Sequence, residues 1–200
     1  MKTKIASGRG GTEGRILEAA AGLFARFGYN GVSAREIASA AGVNEVTIYR
    51  YYTCKRDLYL AALDSELRQV SLRDDLVARI SEASNGHEVL IRAFELITAT
   101  LMDRPEFVRL LQYATLELNE DIDPFLRRYL GELIEVIASY LEPWIVNGQL
   151  HCTNAKLLTL TLIAIVLSHT AFHRVLPGNP PELEAMFRDY AEICAVQNMN

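Results

Sequence analysis

Cysteine is scarce in this chain. The three residues, Cys54, Cys152 and Cys194, lie far apart among 200 and make neither a CxxC metal pair nor a disulfide framework. Long apolar runs are missing as well. The longest candidate, Leu157 to Leu167, is about one third short of the ~18 residues that a membrane span needs, and Lys156 and His169 flank it. Residues 1–14 carry basic side chains without an apolar h-region, so no secretory signal is expected. Six prolines and twelve glycines exclude collagen-like and low-complexity chains. Strand-like alternation is almost absent, and no repeat of solenoid period occurs. These absences predict a soluble, reduced, cytoplasmic protein without a membrane partner.

What is present is a foldable chain with an uneven charge. Half of it is apolar and 22% is charged, enough to bury a core. The formal net charge of −5 hides two opposite parts. Residues 1–60 hold nine Lys/Arg against five Asp/Glu, a net of +4, whereas residues 61–200 hold eleven against twenty, a net of −9. Such asymmetry suggests a basic end for a polyanion and an acidic body with another task.

Apolar side chains recur at helical spacing nearly throughout, which predicts an all-α fold of about nine helices. Ile16, Leu17, Ala20, Leu23, Phe24 and Phe27 give the first helix an inner face, and Gly28 stops it. Ser33-Ala34-Arg35-Glu36 forms a capping box for a short second helix, and Asn44 can cap a third that ends near Tyr51. A fourth begins near Lys55 and is expected to run to about Leu72. Longer helices follow: His87 to Met102, one opened by Pro105, one opened by Asp123-Pro124, and one opened by Thr153 or Asn154. Pro143 should bend or shorten the third of these. Pro180-Pro181 opens a last helix that carries Leu183, Met186, Phe187, Tyr190, Ala191 and Cys194.

The sharpest signal lies between residues 33 and 52. Two short helices joined by a tight turn cross closely, so the first needs a small residue midway, and Ala38 supplies it. Gly42 suits the left-handed turn, while Ile37, Ala41, Val43 and Ile48 can pin both helices to a core. Asn44, Glu45, Thr47 and Arg50 are left pointing outward, as a helix entering the roughly 12 Å major groove requires.

The same residues carry a family resemblance. The run Ile16-Leu17-Glu18-Ala19-Ala20…Leu23-Phe24…Phe27-Gly28-Tyr29, then Ser33 to Ala38, Ala41-Gly42-Val43, Thr47 to Tyr52, Lys55 and Leu58, resembles the TetR family of bacterial transcriptional regulators. The resemblance covers about residues 10–70; beyond it, only the helical layout is similar. It implies a DNA-binding domain over 10–70 and a ligand-binding and dimerisation domain over 71–200. It further implies a homodimeric repressor, released from a palindromic operator by a small molecule. Thr47, Tyr49, Tyr51 and Lys55 match family positions that touch DNA. Ser33, Arg35, Asn44, Glu45 and Arg50 complete the expected DNA-binding set. Lys55, at a helix N-terminus, suits a phosphate. Arg50 can fork onto guanine O6 and N7, with a phosphate contact or a solvated side chain as the alternatives. Cys54 stands where the family usually has Ser or Asn, which costs the fourth helix its best cap unless Thr53 substitutes. Tyr52 stands where Phe is common and brings a hydroxyl to the core's edge.

Other constellations carry less. His169 and His173 are four apart, but the glutamate of HExxH and further ligands are missing, so no metal site is expected. His151-Cys152 lacks an orienting residue or oxyanion feature, so no catalytic residues are expected and the chain reads as a non-enzyme without a cofactor. The acidic connector Glu117 to Asp123 reads as a solvated loop with a helix cap. Aromatic and apolar side chains between His87 and Trp144 exceed one seam's needs, which suggests an enclosed apolar pocket. Its expected lining is Phe94, Phe107, Tyr113, Tyr140 and Trp144, with Gln112, Glu117 and His169 as polar anchors. The nearly all-round apolar helix Leu157 to Leu167 needs cover on two sides, which predicts a two-fold partner. The competing reading is a helical small-molecule-binding protein that does not bind DNA.

Overall fold

The computed structural model describes residues 11–69, 72–118, 122–150, 152, 154–172, 185, 187–190 and 192. Among them it is all-helical: α1 Thr12–Phe27, α2 Ala34–Ala41, α3 Glu45–Tyr51, α4 Lys55–Arg68, α5 Leu72–Ile80, α6 Gly86–Met102, α7 Pro105–Glu117, α8 Asp123–Val146 and α9 Ala155–Phe172. Residues 187–190 are also helical. Thr153, His151, His173, Pro180-Pro181 and most of the expected last helix lie outside the described residues. None of the described helices is long and apolar enough to cross a membrane.

The helices fall into two units. In the first, α1 packs against α2, α4 and α7, and α4 also meets α7. Ile16, Ala20 and Phe24 supply the buried stripe of α1, and Leu58, Tyr59, Ala62 and Leu63 supply that of α4. Tyr59 is fully buried, with its ring 4.6 Å from Phe24 and 5.7 Å from Tyr29 between centroids. Its hydroxyl donates to the Leu110 carbonyl of α7 at 2.5 Å. Burial, reinforced by Glu117 and Tyr113, pushes this phenol's pKa upward, so it remains a neutral donor. Further polar ties from α7 reach the same unit. Arg109 Nε donates to the Ala25 carbonyl at 3.2 Å, and Arg104 donates to the Gln69 carbonyl at 3.3 Å.

The second unit contains α5, α6, α8 and α9. Leu72, Leu76 and Ile80 form the buried stripe of α5, which packs on α6; α6 also packs on α9. Asn85 caps α6 by accepting from Glu88 N at 2.8 Å, and Asn154 caps α9 by accepting from Leu157 N at 3.0 Å. Buried side chains include Leu90, Phe94 and Ile97 from α6, Leu133, Ile137 and Leu141 from α8, and Leu158, Leu162 and Val166 from α9. Gly86 is forced by packing: an added Cβ would strike Leu150 and the Trp144 side chain.

Several expectations change. The fourth helix stops at Arg68, and α5 follows as a separate helix that the sequence reading lacked. Of the two effects expected of Pro143, a shortened α8 is not seen, since the helix continues to Val146; the turn at Gly148 closes it where the sequence places its end. Phe27 is half exposed rather than buried, with the Arg26 guanidinium 5.1 Å above its ring. The anticipated split into residues 10–70 and 71–200 differs from the observed units because α7 joins the first.

Replacing Tyr59 by Phe removes the hydroxyl but keeps the ring. We expect a loss of about 1–2 kcal/mol and a thermal midpoint lower by a few degrees, with helicity retained. Calorimetry and circular dichroism check this. An unchanged midpoint would mean the tie to α7 contributes nothing net.

Candidate nucleic-acid interface

At α2 the local chemistry is complete. Ser33 Oγ accepts from Glu36 N at 3.2 Å, while Glu36 Oε2 accepts from Ser33 N and Oγ, both at 2.7 Å. These bonds hold the Glu36 carboxyl below its ordinary pKa. Ala38 and Ile37 are buried, and Gly42 turns the chain at φ 66°, a left-handed conformation that costs glycine little. Asn44 Oδ1 then accepts from Val46 N at 3.0 Å and opens α3.

With only seven residues, α3 cannot hold helical form alone. Ile48, 1% exposed, anchors it, which fixes what faces out. Asn44, Tyr49, Arg50 and Tyr51 are exposed; Glu45 and Thr47 are half-buried. Ser33 and Arg35 are exposed at the start of α2. The guanidiniums of Arg35 and Arg50 have no hydrogen-bond partner among the described residues. The sequence reading missed Val46, which is 68% exposed. Val46, Tyr49 and Arg50 share one helix face at i, i+3 and i+4. The signal was there: once Ile48 is inward, a β-branched residue two positions earlier must point away.

Lys55, expected to meet a phosphate, also has partners within the fold. Its Nζ donates to the Tyr29 carbonyl at 2.8 Å and to the Val32 carbonyl at 2.9 Å, and lies 4.2 Å from the Tyr29 ring centre. Two of three ammonium donors are thus committed to the α1–α2 connection. This attachment orients the start of α4, whose preceding residue, Cys54, provides no side-chain cap; Thr53 does not take its place. Tyr52 does bring its hydroxyl to the core's edge, 3.5 Å from Glu13 Oε1, with burial and then Glu13 raising its pKa.

The residues expected to line a ligand pocket separate between the two units. Phe107, Gln112, Tyr113 and Glu117 sit on α7 in the first, where Phe107 is buried and Glu117 Oε2 accepts from Asn30 N at 2.7 Å. Phe94, Tyr140, Trp144 and His169 belong to the second. Phe94 is stacked on Phe187 with ring centres 3.8 Å apart, while Tyr140, Trp144 and His169 are half-buried. His87 Nε2 and Thr98 Oγ1, both on α6, are buried polar atoms with no hydrogen-bond partner among the described residues. Among those residues no cluster of three or more His, Cys, Asp or Glu is placed to hold a metal ion.

Two short helices about a left-handed glycine, the second presenting a polar face from a buried anchor, define a helix-turn-helix DNA-binding module. Residues 16–62 match the family model of the bacterial regulatory proteins of the tetR family. Over these residues the chain is similar to that family's DNA-binding module. It is 29% identical over 122 residues to an HTH-type transcriptional repressor of Streptomyces coelicolor, a match covering 56% of this chain and 56% of that relative. The match thus spans little more than half of that relative's length. Solved structures share the fold. The fatty acid degradation regulator of Bacillus halodurans has a TM-score of 0.70 at 18% identity, with 98% of this chain and 100% of that one covered. A transcriptional regulator from Saccharomonospora viridis in complex with choline gives 0.75 at 24% identity, with 93% and 98% covered. A TetR family regulator from Marinobacter aquaeolei VT8 gives 0.66 at 21%, with 93% and 96% covered.

Arg50→Ala should relax preference at one base pair per half-site by roughly 1–3 kcal/mol, measured by competition among single-base operator variants. Lys55→Ala should act through the α1–α2 connection. Its thermal midpoint should fall along with operator affinity, whereas a pure phosphate contact would lower affinity and salt slope alone.

Proposed function

We propose that this chain is a cytoplasmic repressor that binds an inverted-repeat operator as a homodimer and leaves it when a small apolar or aromatic ligand binds. The outward face of α3 carries the proposal. Val46 suits a thymine methyl, Tyr49 a phosphate or methyl, and Arg50 a guanine edge. Ser33, Arg35, Asn44, Glu45, Thr47 and Tyr51 surround them, with phosphates approaching the backbone amides where α4 begins. The net charge of +4 over residues 1–60 supports this assignment of the polyanion.

The dimer reading rests on α9. Leu157 and Leu160 are 60% and 47% exposed, and Ala164 and Ser168 continue the stripe at i+4 intervals. The opposite side is occupied by buried Leu158, Leu162 and Val166. A second copy of α9 about a two-fold axis would cover the remaining face, with small residues permitting close approach. Two copies then present two recognition helices to an inverted repeat.

The ligand reading rests on the second unit's aromatic surplus and its two unpartnered polar atoms, His87 Nε2 and Thr98 Oγ1. Tyr140 and Trp144 offer ring faces, and the net −9 of residues 61–200 favours a cation over an anion. The choline in the Saccharomonospora viridis protein is a precedent in the same fold. Release requires the ligand to prefer a dimer with misplaced recognition helices, for which a coupling of about 1–3 kcal/mol is typical.

Selection from a random duplex pool tests the whole reading. An inverted repeat with half-site centres about one helical turn apart or more should emerge. Wild-type protein should sediment as a dimer at micromolar concentration, and Leu160→Glu should shift it toward monomer and weaken operator binding. A wild-type monomer would overturn the dimer. Choline and larger aromatic ammonium ions are the first ligand probes. A loosened operator complex that Trp144→Ala no longer shows, with basal affinity kept, is the expected result.

A further inference from the structure

The connection between α1 and α2 is held from two sides. From α4, Lys55 Nζ donates to the Tyr29 and Val32 carbonyls at 2.8 and 2.9 Å. From α7, the Glu117 carboxylate accepts the Asn30 N–H at 2.7 Å through Oε2. Its other oxygen lies against the Gly28 backbone, where an added Cβ would collide with it and press on the Tyr113 ring. Gly28 has φ 76°, so the chain leaves α1 in a conformation that favours glycine, and the carboxylate fits the space the missing side chain leaves. A cation thus holds the carbonyls of this five-residue connection while an anion holds an amide, each matched to the sign of the group it meets.

This matters because the connection leads directly into Ser33 and the capping box of α2, and because Lys55 is the first residue of α4. Displacing the connection would move the start of α2 and the start of α4 together. Glu117 itself is about 70 residues away in sequence from the α3 face and offers DNA nothing but like-sign repulsion. We propose that Glu117 is a positioning residue for operator binding. By fixing the Asn30 amide, it sets the turn that Lys55 grips, and through it the placement of α2 and α4 for the duplex. The inference rests on reading α3 and its neighbouring helix starts as the DNA-facing surface.

The test uses full-length protein and the labelled duplex recovered by selection. Glu117→Ala should weaken operator binding about tenfold or more, the expected loss of one charge-assisted hydrogen bond that orders the interface. Glu117→Gln should recover most of the affinity, since its amide oxygen can still accept from Asn30. The salt slope of binding should be the same in wild type and both variants, because no phosphate contact is removed. If Glu117→Ala proves unstable, hydrogen exchange on the wild-type protein decides. The Asn30 amide should be protected although its residue is exposed, and should lose protection in Glu117→Gln less than in any variant lacking an acceptor. Wild-type affinity in Glu117→Ala, equal losses in the Ala and Gln variants, or an unprotected Asn30 amide would each overturn the proposal. Arg50→Ala in parallel separates the two levels: if it loses specificity while Glu117→Ala binds normally, the interface stands and the positioning role fails.

Discussion

A single buried phenol unites the helices on which the DNA-binding unit depends. Tyr59 packs its ring tilted against Phe24 of α1 and edge-on to Tyr29 of the following turn, and its hydroxyl reaches across to the Leu110 carbonyl of α7. Fully removed from water, it must find an acceptor, and that acceptor lies on a helix about 50 residues later in the chain. The apolar contacts drive α1 and α4 together without fixing their rotation. The hydroxyl, which needs one oxygen at one distance, adds the direction that hydrophobic burial lacks.

The consequence reaches α3, which has too few residues to be stable alone and borrows its order from the platform. Ile48 is its one fully buried anchor, so the direction in which Val46, Tyr49 and Arg50 face follows from where the platform places Ile48. Lys55 contributes to the same placement by spending its charge on backbone carbonyls rather than on solvent. A cation in a basic segment is therefore not automatically free for a phosphate. Its partner within the fold has first claim.

Local signals were the legible ones. The Ser33–Glu36 capping box, the Asn44 cap and the Gly42 turn each depend on residues within four positions, and all three form as read from sequence. The short α5 carries a legible Leu72, Leu76, Ile80 stripe, although Asp74, Asp75 and Arg79 dilute its apolar face and no helix was expected there. What the sequence concealed were pairings over long separations. Nothing near Glu117 announces Asn30, and nothing near Tyr59 announces Leu110. The aromatic count between His87 and Trp144 likewise read as one pocket wall, although Phe107 and Tyr113 belong with α1 and α4. Periodicity reveals that a face is buried but not against which helix.

The position of α7 in the chain then bears on how the first unit is held together. The helices on either side of it, α6 and α8, both belong to the second unit, yet α7 is packed and hydrogen-bonded into the first. Only Asp103 and Arg104 separate the end of α6 from the start of α7. Arg104 is itself bonded to the Gln69 carbonyl at the end of α4, and the far end of α7 holds Asn30 through Glu117. Both ends of α7 are thus tied into the first unit by polar bonds. Directional bonds suit this role better than apolar packing, because a hydrogen bond weakens steeply with misalignment, whereas a hydrophobic contact can slide.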